Sequence, residues 1–216
     1  MSESPFSPML VKWADQLSQL PMSEAQLVGM AKLTVLWNSA ERKLQAFIGE
    51  LLNKGHAAEL ITADMGGLAL AHLARNLAHL EIKDKLTQEY VDASLEAFDK
   101  CRIVRNEIVH GLPERSAIPT ETLMQSSARK GRGELVITSA DISEKRLANL
   151  VQLFAILNFA MDCCLKLVWG HRMQDLGQIR REDLITFPPV SAVIAVAQLA
   201  GKTKKADGDL KGKQAP

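Results

Sequence analysis

The sequence has little with which to hold a metal ion or build a disulfide network. It contains three cysteines, Cys101, Cys163 and Cys164, and all of them fall in apolar, helix-forming segments. Neither their number nor their spacing resembles a zinc site or a disulfide framework, and no His-Glu-x-x-His pattern occurs. We therefore expect buried free thiols in a reducing compartment, no metal site and no cofactor.

A strong charge of either sign and a long uninterrupted apolar run are also lacking. The formal net charge is +1, which excludes a strongly basic nucleic-acid-binding chain but allows a local basic patch. The first ten residues lack the basic region of a signal peptide and contain two prolines. The longest apolar run, Leu147 to Trp169, is interrupted by polar residues, whereas a membrane span needs roughly 20 nearly uninterrupted apolar residues. These absences predict a soluble, cytoplasmic protein with no membrane partner.

Most of the sequence shows the apolar spacing of helices. Ser23 suits an N-cap, and from Leu27 to Leu51 apolar residues recur every three or four positions, which predicts one long amphipathic helix. Gly55 is the expected stop of that helix. Further helices are predicted at 8–20, 57–61 and 68–80, and from Thr87 to the Gly111 break.

The chain after that break predicts a change of structure. Residues 112–133 lack helical periodicity, Glu134 to Thr138 reads as a strand, and Glu121 to Ser126 pairs with it as a hairpin. Asp141 and Glu144 resemble a capping box that opens a long core helix. The predicted class is all-α, an antiparallel bundle of four or five main helices with a small β-hairpin insertion after His110. The predicted divisions are an N-terminal extension with a short helix at 1–22, a helical domain at 23–170, a helical extension at 171–200 and a disordered tail at 201–216.

One short segment at a predicted helix end has the residue types of a chemical site. Asn106 and His110 are four residues apart and share a helix face, and Arg105 lies beside them. A guanidinium binds phosphate through two parallel hydrogen bonds, and an imidazole near a helix C-terminus titrates near neutrality. Together the three side chains can bind a phosphodiester and move a proton. The alternative is structural, because basic side chains are also favourable at a helix C-terminus.

The pattern Arg-Asn, three residues, then His-Gly at a helix end resembles the signature of HEPN-type domains. In that signature an Arg is followed by a polar residue and, four to six positions after the Arg, by a His. The Trp37-x-x-x-Glu41 helix, the hairpin-like insertion and the long closing helix are also similar to bacterial HEPN-like proteins. The resemblance covers roughly Ser23 to Trp169.

The resemblance implies a helical bundle that forms a homodimer and cleaves RNA without a metal ion in a cleft to which both protomers contribute. His110 would be the acid–base group, Arg105 would hold the scissile phosphate, and Asn106 would orient the histidine or the phosphate. Glu41 is expected to face the same cleft. The resemblance also implies a bacterial defence, toxin–antitoxin or stress system, with RNA and an antitoxin or regulatory protein as partners.

Two further readings of function stay open at this point. The same residues suit a non-catalytic dimeric helical module for protein interaction, and they suit a regulator that senses a nucleotide in the cleft. The sequence does not separate these from a ribonuclease, so whether the chain is an enzyme is not decided by its residues.

Two other groups of residues are candidates for the same surface. Arg75-Asn76-Leu77-Ala78-His79 repeats the residue types of the motif with closer spacing, by coincidence or because Arg75 faces the cleft from a neighbouring helix. Arg129, Lys130 and Arg132 form a basic knot that would contact RNA phosphates or else lie in a solvated loop. Gly66-Gly67 predicts a turn, since no Gly-Lys-Ser/Thr of a phosphate loop follows.

Overall fold

The structure, a computed structural model, describes residues 22–53, 56–109, 112–115, 122–130, 134–175 and 190–202. These residues are mostly helical, as the sequence predicted. The described helices are α1 (Glu24–Leu52), α2 (His56–Thr62), α3 (Gly67–Glu81), α4 (Lys85–Val109), α5 (Glu144–Asp175) and α6 (Val190–Lys202). Between α4 and α5 lie β1 (Leu112–Arg115), β2 (Thr122–Lys130) and β3 (Glu134–Asp141), an antiparallel sheet in that order. The predicted helix before Pro21 and residues 203–216 of the predicted tail lie outside the described residues. Residues 201 and 202, predicted to begin that tail, are instead the end of α6.

Helix α1 begins where the sequence predicted and ends slightly earlier. Ser23 and Gln26 form a capping box, in which the Ser23 hydroxyl accepts from the Gln26 N–H and the Gln26 side chain accepts from the Ser23 N–H. The helix ends at Asn53, whose φ of 53° is left-handed, and not at the predicted Gly55. Asn tolerates this conformation better than other residues with a Cβ, so it can close the helix before the glycine is reached.

Helix α5 begins with a different cap from the one predicted. Ser143 is its N-cap, because the Leu147 N–H donates to the Ser143 carbonyl and the Arg146 N–H lies 3.4 Å from the Ser143 hydroxyl. Asp141 is the last residue of β3, and its carboxylate accepts from both the N–H and the hydroxyl of Ser143. The predicted Asp141–Glu144 capping box is therefore wrong by two residues, since the strand extends up to Asp141.

The boundary predicted at residue 170 falls inside α5, which continues to Asp175. A single Gly170 costs a helix only about 1 kcal/mol relative to Ala and does not end it. Helix α6, placed by sequence in a separate extension, contributes Val193, Val196, Ala197 and Ala200 to the same hydrophobic core as α1, α3, α4 and α5.

The two longest helices, α1 and α5, run side by side in the same direction. The Gln26 side chain donates to the Ile142 carbonyl, Asn158 donates to the Leu36 carbonyl at 2.7 Å, and Lys43 pairs with Asp162 at 2.7 Å. Contacts that advance together along both helices require a parallel pair. The predicted antiparallel arrangement therefore does not hold here, because the long connection through α2 to β3 lets α5 return in the direction of α1.

Helix α5 also contains the segment closest in character to a membrane span. Within the described ranges, Glu144–Gly170 alone is long and apolar enough to cross a membrane, with a mean hydropathy of 1.7 in its most apolar window, half of which is buried inside the molecule. A core helix of a soluble protein has the same properties, so this segment is weak evidence for a membrane span.

Candidate functional site

An open cleft of about 490 Å³ lies where α4 passes the middle of α1 and the start of α3. Helix α1 supplies Trp37 and Glu41, α3 and the turn before it supply residues 66–69, and α4 supplies Arg102, Arg105 and Asn106. The volume is in the range of small-molecule sites. Several polar groups of the lining point toward one another over an apolar floor.

Helix α4 presents its polar residues to the cleft on one face. Arg102, Arg105 and Asn106 are spaced at i, i+3 and i+4, which places them side by side on a helix. Arg105 Nη1 donates to the Asn106 amide oxygen at 3.0 Å. Arg102 Nε donates to Asp99 Oδ1 at 3.4 Å, one turn back along the helix. Two guanidinium groups therefore stand next to each other, each with a polar neighbour that limits its motion.

Helix α1 presents a carboxylate opposite these arginines. Glu41 lies one turn after Trp37, whose ring is buried against Phe98 with centroids 4.6 Å apart and against Phe154 at 6.2 Å. Partial burial raises the pKa of Glu41 above its ordinary value, while the Arg105 guanidinium and a hydrogen bond from Trp37 oppose that rise. The core thus fixes Trp37, and Trp37 in turn helps to fix the carboxylate beside Arg105.

The start of α3 approaches this group closely because it has no side chain there. A Cβ on Gly67 would lie 3.1 Å from Glu41 Oε1, 3.2 Å from Arg102 Cδ and 3.3 Å from Trp37 Cζ2. A Cβ on Gly66, the N-cap residue, would meet nothing within 4 Å. Position 67 therefore has little room for a side chain. The glycine there lets the positive end of the α3 dipole face the cleft.

The structure brings together three of the residues predicted from the sequence. Arg105, Asn106 and Glu41 line one cleft. His110, the predicted acid–base group, lies outside the described residues, as does Arg132. Arg129 and Lys130 end β2, where the backbone pairs them with Leu135 and Glu134.

Arg75 does not line the cleft, which corrects the suggestion that it faces the motif. It follows Gly67 by eight residues, about 12 Å along a helix with a rise of 1.5 Å per residue. Its Nε lies 3.8 Å from Asp92 Oδ1, and His79 Nε2 lies 3.0 Å from both oxygens of the same carboxylate. The second Arg-Asn…His match is therefore part of a separate polar cluster between α3 and α4.

Sequence reasoning missed Arg102, Trp37 and Gly67 as cleft residues. The spacing of Arg102 and Arg105 was a usable signal, since residues three apart share a helix face. Trp37 is buried in the core, but one ring edge also reaches the cleft. The role of Gly67 depends on how α3 packs against α1, which local sequence does not specify.

The described cysteines are structural. Cys101, Cys163 and Cys164 are free and buried, as predicted, and burial raises the pKa of Cys101 and Cys164 to about 12. Such thiols are poor nucleophiles near neutral pH. Among the residues that the structure describes, no group of three or more His, Cys, Asp or Glu side chains is arranged to hold a metal ion.

In chemical terms the cleft can hold an anion between two guanidinium groups, with a carboxylate and an amide beside it. No protein-family model, curated protein or solved structure matches this chain. The HEPN-like resemblance accordingly rests on the motif residues quoted for it.

Proposed function

We propose that this chain is a HEPN-like, cytoplasmic RNA-binding protein whose cleft holds an RNA phosphate and whose His110 supports metal-independent cleavage. The observation that carries the proposal is the convergence of Arg105, Asn106, Arg102 and Glu41 on one open cleft. Arg105 and Asn106 come from the motif itself, and His110 follows the last residue of α4 in the sequence.

In the proposed chemistry Arg105 binds the phosphate and His110 transfers protons. Arg105 and Arg102 bind the non-bridging oxygens of the phosphate and stabilise the charge that grows on them in the transition state. His110 takes the proton from the 2′-hydroxyl or gives one to the departing 5′-oxygen. Attack of the 2′-oxygen on phosphorus breaks the bond to the 5′-oxygen and leaves a 2′,3′-cyclic phosphate and a 5′-hydroxyl end.

The proposal extends to the architecture and the partners that the resemblance implies. These are a helical bundle with a hairpin insertion after His110, a homodimer in which both copies supply the motif, and an antitoxin or regulatory protein of a bacterial defence, toxin–antitoxin or stress system. Three strands follow α4 in the chain, which supports the insertion.

Nucleotide sensing is a second candidate, and the size of the cleft favours it. About 490 Å³ is enough for one mononucleotide, and two arginines suit its phosphate. The two candidates differ in whether the phosphate that binds is an internal diester or a terminal monoester.

The test is cleavage of end-labelled RNA in EDTA by the wild type, His110→Ala and His79→Ala. His79 is a matched control, because it belongs to the second Arg-Asn…His match and lies outside the cleft. We expect the wild type and His79→Ala to produce 2′,3′-cyclic phosphate ends, and His110→Ala to lose at least a hundredfold in rate. Equal activity of all three, or cleavage that needs a divalent ion, would contradict the proposed chemistry.

A light-scattering mass near 23.7 kDa, that of one chain, would count against a homodimer.

A further inference from the structure

Charges of opposite sign share the cleft, and this is unusual for a site that binds an anion. Arg102 and Arg105 stand on α4, and Glu41 faces them from α1. Glu41 Oε1 and Arg102 Cδ lie within 3.2 Å of the same point, the position of a Cβ added at Gly67. Asp99 also neighbours Arg102, but it does not line the cleft. Glu41 is therefore the carboxylate that a bound anion would meet.

A fixed carboxylate acts differently on anions of different charge. Coulomb repulsion grows in proportion to the ligand's charge, so a dianion is repelled by Glu41 twice as strongly as a monoanion at the same position. The diester groups inside an RNA chain carry one negative charge each. A terminal phosphate or the phosphate of a free mononucleotide carries nearly two at pH 8, since the second pKa of a phosphate monoester is about 6.

We propose that Glu41 is a specificity-determining residue that offsets part of the stronger attraction of Arg102 and Arg105 for doubly charged phosphomonoesters, and so favours the singly charged phosphodiesters of an RNA chain. This inference rests on the proposed function, because it assumes that Arg105 binds a phosphate in this cleft. It separates the two candidate functions, since a nucleotide sensor would gain nothing from repelling its own ligand.

A purely structural role for Glu41 makes a different prediction. Its carboxylate accepts a hydrogen bond from Trp37, which would position the indole whatever ligand binds. Gln has nearly the same shape and still offers an acceptor oxygen, so Glu41→Gln removes the charge and keeps the contact. Only a role of the charge changes the preference between ligands in this variant.

The experiment measures two ligands on each variant at pH 8 and constant ionic strength. The first is a fluorescently labelled, 2′-O-methyl oligouridylate with hydroxyl ends, which contains diesters only and cannot be cleaved. The second is uridine 5′-monophosphate, measured as a competitor. The quantity compared is the Kd of the monoester divided by the Kd of the oligonucleotide.

We expect Glu41→Gln to lower this ratio on the order of tenfold, the effect of removing one unit charge several ångströms from the ligand's second charge. Glu96→Gln is the matched control, because Glu96 is an exposed carboxylate on the helix that carries Arg105, and its ratio should equal that of the wild type. Glu41→Ala should shift the ratio in the same direction and serves if the Gln variant fails to fold.

An unchanged ratio in folded Glu41 variants would overturn the inference alone, provided that Arg105→Ala still weakens oligonucleotide binding. If the wild type binds neither ligand, or if Arg105→Ala binds the oligonucleotide as the wild type does, the inference and the proposed function fall together.

Discussion

Gly67 shows how one absent side chain shapes the cleft. Its neighbours Glu41, Arg102 and Trp37 all lie between 3.1 and 3.3 Å from where a Cβ would be. The two charged side chains can shift, but Trp37 is packed in the core and cannot. An added methyl group at this position therefore forces the start of α3 away from α1.

We predict that Gly67→Ala lowers the free energy of unfolding by about 1–3 kcal/mol, the usual cost of overpacking. Gly66→Ala, where a Cβ meets nothing within 4 Å, should lose less, only the several tenths of a kcal/mol that Ala costs relative to Gly at an N-cap. Urea denaturation of the three proteins measures both differences. Equal stability of the two variants would mean that the residues around Gly67 accommodate the added methyl group without loss of unfolding free energy.

At the residue scale, the sequence predicted what helix spacing alone determines. Ser23 was identified as a cap from its type and position, and Arg105 and Asn106 were placed together because they are adjacent on one helix. The meeting of Glu41 with Arg105 depended on the family resemblance. For Arg75 the sequence left open a chance repeat or a place in the cleft, because only packing tells which copy of a repeated pattern faces a neighbour; Arg75 does not line the cleft.

Among the elements, α1 and α5 are joined by one buried amide as well as by their apolar faces. Asn158 Nδ2 donates to the Leu36 carbonyl at 2.7 Å and to the Phe154 carbonyl at 3.0 Å. Beside it, Lys43 donates to the Asn158 carbonyl and pairs with Asp162. A polar residue in an apolar helix would otherwise be unfavourable, so these bonds fix the register of the two helices.

We predict that Asn158→Ala destabilises the protein by about 1–3 kcal/mol, through lost hydrogen bonds and a small cavity. Asn149→Ala removes the same side chain from an exposed position on the same helix and should cost less than about 0.5 kcal/mol. Thermal unfolding of both variants gives the comparison. A similar change in both variants would show that the contact of Asn158 with α1 contributes nothing to stability.

The helix positions could be predicted because periodicity, caps and breaks are local. Predicted and observed bounds differ by only a residue or two for α2 and α3. The larger errors came from competing local signals. Asn53 ended α1 before Gly55, and β3 extended to Asp141, leaving Ser143 to cap α5.

At the scale of the whole molecule, the sequence predicted a mostly helical chain but not which helices meet. Periodicity shows that one face of α1 and of α5 is apolar, yet it does not specify that the two run parallel. It also gave no reason to include α6 in the main core, where Val193 and Val196 are buried. The cleft is a product of this packing, because its lining comes from α1, α3 and α4 together.

The proposed function requires that this cleft binds RNA through Arg105. The most direct measurement is the affinity of a labelled, non-cleavable 2′-O-methyl RNA for the wild type, Arg105→Ala and Arg75→Ala. Arg75 carries the same side chain on neighbouring α3 but pairs with Asp92 outside the cleft.

We predict that Arg105→Ala binds at least about tenfold more weakly, since hydrogen bonds to charged groups contribute about 1.5–3 kcal/mol. Arg75→Ala should stay within about twofold of the wild type, with both variants folded by circular dichroism. An Arg105→Ala protein that binds RNA like the wild type, or an equal loss in both variants, would contradict the assignment of the cleft as the RNA site.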